Sequence, residues 1–132
     1  MHQYPNKTLL AFAETFGDGD QFQRWLLSNR FPELAALSNA IRGSEEAMVW
    51  LMKNRYFAFA ALDGAIDGKM QARAWLMKND FPLFVCLADA VNGDKKAMRW
   101  LDDHQFQMLL YVAGKIRAFR DNQTYDYHKI HF

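Results

Sequence analysis

The side chains that could do chemistry are few and scattered. Four histidines stand at His2, His104, His128 and His131. Imidazole can move protons or bind zinc, but a zinc site needs about three or four converging ligands. No two of these histidines have the spacing of a pair on one helix face, and only His128 and His131 are close neighbours. If Asp102, Asp103 and the C-terminal histidines approach His104, that corner is where a metal or a small catalytic site is expected. Cys86 is the one thiol. A nucleophilic thiol needs a base or another partner that lowers its pKa, and none is evident. Cys86 is therefore expected to act as a small buried apolar group. The acid pairs Glu45-Glu46 and Asp102-Asp103 are adjacent in sequence, so on a helix they point apart and share no proton. Gly17-Asp18-Gly19-Asp20 resembles a fragment of a calcium loop but lacks the remaining ligands, and a turn between helices accounts for it. No glycine-rich phosphate loop occurs. The expectation is a protein that is not an enzyme and carries no cofactor and no metal.

The elements that would position these residues are far more legible. Trp25, Trp50, Trp75 and Trp100 recur every 25 residues. Each opens a similar phrase, such as Trp50-Leu51-Met52-Lys53-Asn54-Arg55-Tyr56-Phe57 and Trp75-Leu76-Met77-Lys78-Asn79-Asp80-Phe81-Pro82. A second phrase follows: Leu37 to Gly43, Leu62 to Gly68, Leu87 to Gly93. A half-copy from Leu9 to Gly17 stands in front. Self-similarity at a period of roughly 20 to 50 residues marks an array of one supersecondary unit.

Within a unit the pattern is helical. Ser44 can cap a helix, and Glu45 and Glu46 suit its first turn. Ala47, Trp50 and Leu51 share one face. A second stripe runs through Phe59, Leu62 and Ile66 and ends at Gly68, as its siblings end at Gly43 and Gly93. Phe31-Pro32 and Phe81-Pro82 separate two helices, because proline disfavours helix before it and suits the first helical position. Helices of about ten residues are marginal alone and persist by packing on neighbours. Nine are expected, starting near Thr8, Asp20, Glu33, Ser44, Ala58, Lys69, Leu83, Asp94 and Gln107. The last has Ala118 where a turn glycine would stand, so it is expected to continue to about Arg120. Asn29, Asn54 and Asn79, with His104 as the fourth member, are expected to satisfy backbone groups at helix ends. The tryptophans are expected to form a hydrophobic spine.

The two-helix unit resembles the α-solenoid class that includes HEAT and tetratricopeptide repeats, though it is shorter and their signature positions differ. Its length is closer to leucine-rich-variant repeats, and it is similar to repeats in small bacterial proteins. The resemblance covers residues 9 to 120. It implies an all-α fold: a right-handed α-solenoid superhelix of about nine short antiparallel helices, four 25-residue repeats plus a leading half-repeat. Solenoids present extended surfaces, so it also implies a protein-binding or scaffold role.

At 132 residues the chain is expected to form a single domain over 1–132. Residues 122–132, rich in Tyr, His, Ile and Phe, have no counterpart in the repeats and are expected to cap the open end of the core, the alternative being that they dock on a partner chain. The net charge of +1 demands no anionic partner, neither nucleic acid nor membrane surface. No secretory leader and no apolar run of about 18 residues is evident, and a single cysteine fits a reducing setting, so a cytoplasmic location is expected. One edge of the array gathers Arg30, Lys53, Arg55 and Lys78, the other Asp18, Asp20, Asp63, Asp67 and Asp94. The residues expected to contact a protein or peptide partner are those that vary in one exposed column, Arg30, Arg55, Asp80 and Gln105, followed by Lys53 and Lys78. A monomer or weak homo-oligomer is expected. The alternatives are the site near His104 already described and end-to-end self-assembly.

Overall fold

The computed structural model describes the backbone of residues 1–130 and side chains through residue 123. Among the described residues the chain forms nine helices and no strand. They are α1 (Asn6–Glu14), α2 (Gln21–Ser28), α3 (Pro32–Ile41), α4 (Glu45–Lys53), α5 (Phe57–Ile66), α6 (Met70–Lys78), α7 (Pro82–Val91), α8 (Lys95–Asp103) and α9 (Gln107–Ile130). None is long and apolar enough to cross a membrane.

Local chemistry sets these boundaries. Ser44 accepts the Ala47 N–H at 3.1 Å at the start of α4, and Asp94 accepts the Lys96 N–H at 2.8 Å at the start of α8. Pro32 and Pro82 open α3 and α7. Two kinds of left-handed residue close the helices. Gly43, Gly68 and Gly93 have φ of 105°, 83° and 91°, and let Ser44, Lys69 and Asp94 donate back to the carbonyls of Asn39, Gly64 and Asp89. Nothing comparable interrupts α9, which lacks glycine and proline from Lys115 onward and runs past Arg120 to Ile130. The expected capping by residues 122–132 depends on side chains from 124 on, which lie outside the described residues.

The odd-numbered helices make an inner row in which each packs on the next, and α9 packs on α1 as well as on α7. The row therefore closes on itself. An open superhelix would hold its first and last helices apart; here they form a seam. Tyr111 donates to Glu14, the Lys115 Nζ lies 3.5 Å from the other Glu14 oxygen, and Phe119 packs on Phe16 with ring centres 5.9 Å apart. Residues 1–4 cross one end of the ring: the Tyr4 hydroxyl donates to Glu33 of α3 at 3.2 Å, and His2 meets Phe106 edge-on. The even-numbered helices α2, α4, α6 and α8 pack only on their neighbours in sequence and not on one another. They form an outer row with gaps whose floors are inner helices.

The core differs from the expected spine. Leu26, Leu51, Leu76 and Leu101, each directly after a tryptophan, are completely buried, whereas Trp75 and Trp100 are 38% and 41% exposed. Adjacent helix positions point about 100° apart, so one of the pair takes the centre and the other the flank. Leucine fills the centre. Each indole instead lies flat against the aromatic ring six residues on: Trp25 on Phe31, Trp50 on Tyr56, Trp75 on Phe81 and Trp100 on Phe106. The ring planes are within 12° of parallel in all four stacks.

Candidate functional site

The expected contact column has a backbone explanation. Arg30, Arg55, Asp80 and Gln105 are exposed and all left-handed, with φ of 67°, 63°, 64° and 64°. Each lets the next residue donate to the buried leucine's carbonyl, as in Phe31 N–H to Leu26 at 2.9 Å and Tyr56 N–H to Leu51 at 2.8 Å. The backbone is fixed while the side chain is not, which is why the column varies. Lys53 and Lys78 are exposed in the last turns of α4 and α6. The asparagines behave as expected: Asn29, Asn54 and Asn79 each donate a side-chain N–H to the tryptophan carbonyl four residues back, at 2.8 Å.

His104 fills the same role in the fourth hairpin. Its Nδ1 lies 2.9 Å from the Trp100 carbonyl, which makes Nδ1 the protonated nitrogen, and its ring stacks on Trp100 at 4.0 Å. Asp102 accepts from Gln107 at 2.8 Å. Among the described residues no three His, Cys, Asp or Glu side chains converge as metal ligands; the side chains of His128 and His131 lie outside that set. The Cys86 thiol is half-buried and within 3.5 Å of the Ala97 carbonyl. Burial, with the nearby Asp89 and Asp94 carboxylates, pushes its pKa up, which disfavours the thiolate.

A groove of about 720 Å³ lies elsewhere, over α5 between α4 and α6. Met48 and Met52 of α4 form one wall, Ala72 and Trp75 of α6 the other, and Phe57, Ala60, Ala61 and Gly64 the floor. Met52 and Phe57 are well exposed, and Met70 and Met77 lie exposed nearby on α6. None of the six residues expected to make contacts lines this groove.

Comparison of equivalent positions shows why it is open. In the first hairpin Gln23 of α2 donates to Asn39 of α3 at 3.0 Å. In the third, Arg73 of α6 grips Asp89 of α7 through two bonds of 2.9 and 2.8 Å. The same register in the second hairpin holds Met48 and Gly64, and in the fourth Met98 and Gly114, pairs that can make no polar bridge; of the two, only the second is flanked on both sides by outer helices, α4 and α6. Gly64 also brings the walls closer to the floor: a Cβ there would sit 2.7 Å from that of Ala72, so α6 rests directly on α5. The matching groove over α7 is smaller, about 560 Å³, and bordered by Asp89, Asp94 and Lys96.

One acid marks the groove over α5. Asp63 was expected on the acidic edge of the array; it lies on α5, half-buried, and lines the cavity. Its sister positions are Ser38, Ala88 and Ala113, which are 0%, 1% and 2% exposed. Burial raises the Asp63 pKa to about 6, and Asp67 adds to the rise while Lys69 and Arg120 oppose it. Asp67 itself lies 3.5 Å from Arg120 of α9. Sequence reasoning missed this site because it requires knowing which columns face a gap. A readable signal was present: an acid in a column otherwise filled by serine and alanine. The chain matches no family model, no curated protein and no solved structure.

Proposed function

We propose that this chain is a non-catalytic helical-repeat module that binds another protein, and that the groove over α5 is where it does so. The 25-residue hairpins act as a scaffold whose outer helices stand apart, and the gap between α4 and α6 is the surface the scaffold presents. The observation that carries this reading is the missing bridge. Neighbouring hairpins close the same register with Gln23–Asn39 and Arg73–Asp89, whereas Met48 and Gly64 leave apolar surface open. Methionine adapts its shape to a partner and is enriched at surfaces that accept apolar helices. An acid at the edge of an apolar floor disfavours nucleic acid, whose phosphates it would repel. The single thiol, held as the neutral form, accords with a reducing, cytoplasmic setting.

A second reading places the contact on the edge formed by Arg30, Lys53, Arg55, Lys78, Asp80 and Gln105. It is supported by the four non-glycine residues at positive φ, a conformation that glycine adopts without strain. A photo-crosslinking phenylalanine at position 57 reports on the groove and one at position 30 on the edge. Irradiated in source lysate, the first is expected to give a discrete protein adduct that disappears with Met52→Glu. An adduct formed only from position 30 assigns the contact to the edge, and adducts from neither position reject the binding module.

A further inference from the structure

We infer that the occupant of the groove over α5 is an amphipathic helix whose apolar face carries one lysine or arginine, and that this cation pairs with Asp63. The inference rests on the groove reading and adds the identity of the ligand's anchoring group.

Two independent observations meet here. The first is shape. The groove is bounded by two short walls, α4 and α6, each nine residues long. At about 1.5 Å of rise per residue such walls accommodate two to three turns of a helix lying between them. Apart from Asp63, Lys69 and Gln71 the side chains along it are methionine, alanine and aromatic, which suits the apolar stripe of a helix.

The second observation is the misplaced carboxylate. The column holding Ser38, Ala88 and Ala113 faces the interior, and Ser38 is satisfied there by Thr15 at 2.7 Å. Asp63 occupies that column, and among the described residues it has no ion pair within 4.0 Å. Lys69 and Arg120 offset only part of the hydration an acid loses at such a position, and departures of this kind concentrate at functional sites. The charged groups around it are Asp67 at the C-terminal cap of its own helix, Lys69 in the following turn and Arg120 from α9. Arg120 reaches Asp67 at 3.5 Å, and Lys69 lines the same cavity as Asp63. A cation carried into the groove would sit beside Asp63 with apolar walls excluding water, where a charge-assisted hydrogen bond is strongest.

The test uses the full chain and a set of fluorescent, end-capped helical peptides of leucine and alanine. Each carries one lysine at a different place on the apolar face, and each has a partner with norleucine at that place. Expected is at least one lysine peptide that binds about tenfold more tightly than its norleucine partner. That preference should vanish in Asp63→Asn, persist in Asp89→Asn, and shrink about tenfold between pH 7 and pH 5 as Asp63 takes up its proton. Equal binding of lysine and norleucine peptides, abolished by Met52→Glu and untouched by Asp63→Asn, overturns the cation pairing and leaves the groove reading standing. Absence of saturable binding by every peptide overturns both. If decyltrimethylammonium competes more tightly than any peptide, the helix is overturned in favour of a small cationic amphiphile.

Discussion

A carboxylate held in a column of serine and alanine must show itself in the pH dependence of folding. Asp63 titrates near pH 6 in the folded chain, above the ordinary value of 3.8. The folded state therefore holds its proton to higher pH than the unfolded state does. Stability from this group is full below about pH 4 and is lost as pH rises toward 6. After allowance for its partial exposure, the loss at pH 7.5 is roughly 1–2 kcal/mol. Asp63→Asn is expected to recover about that amount in urea melts at pH 7.5 and nothing at pH 4; a less stable variant at pH 7.5 would contradict the burial argument. The left-handed column makes a second residue-scale prediction. Arg55→Gly is expected to leave stability unchanged or raise it by up to about 1 kcal/mol, since relief of strain and the added freedom of the unfolded chain oppose each other. Arg55→Val is expected to lower it by about 1–2 kcal/mol, because a β-branched residue resists φ of 63°. At this scale the sequence was partly transparent. The asparagines could be read correctly because a short amide at a helix end has a local job. Arg30, Arg55, Asp80 and Gln105 looked like a recognition column because variability and exposure are visible in a sequence, whereas a positive φ at a non-glycine is not.

Between helices, the decisive distances are those no single phrase of sequence contains. Gly64 lets α5 and α6 touch, with no room for a Cβ against Ala72. Both atoms that would collide are attached to backbone, so relief requires the helices to separate. Gly64→Ala is expected to destabilise by about 1–3 kcal/mol despite alanine's better helix propensity. Ala72→Gly is expected to rescue part of that loss, which a double-mutant cycle by thermal melting would measure. Additive effects of the two changes would show that the contact is not what holds α6 down. The boundaries of α2 to α8 were legible because Ser44, Asp94, the prolines and the glycines each act within a turn of themselves. The length of α9 was not, since the absence of a stop signal says that a helix continues without saying how far. The exchange of roles between tryptophan and leucine was hidden for a related reason: both belong to the same stripe, and only the crossing of neighbouring helices decides which one reaches the centre.

Closure belongs to the whole molecule. Helical periodicity describes one hairpin, and the angle between successive hairpins accumulates unseen until α9 meets α1. The spacing of the tryptophans suggested successive hairpins, but not that five inner helices suffice to complete a circuit. Closure makes the two ends of the chain one cooperative structure. Ile116 of α9 is fully buried, and Ile116→Ala is expected to cost about 2–5 kcal/mol. Hydrogen exchange should then quicken in α1 as well as in α9, because the seam joins them. Unchanged protection of α1 would mean that the seam contributes little.

The seam also fixes how many units this architecture can hold. An open array grows by addition, since a new hairpin needs only one neighbour to lean on. Here the place a newcomer would take is already occupied by the head of the chain. A duplicated hairpin spliced between α7 and α8 would have to prise α1 from α9, exposing Phe12 and Leu109 to water. Growth by whole hairpins is closed to this arrangement unless the circle itself widens.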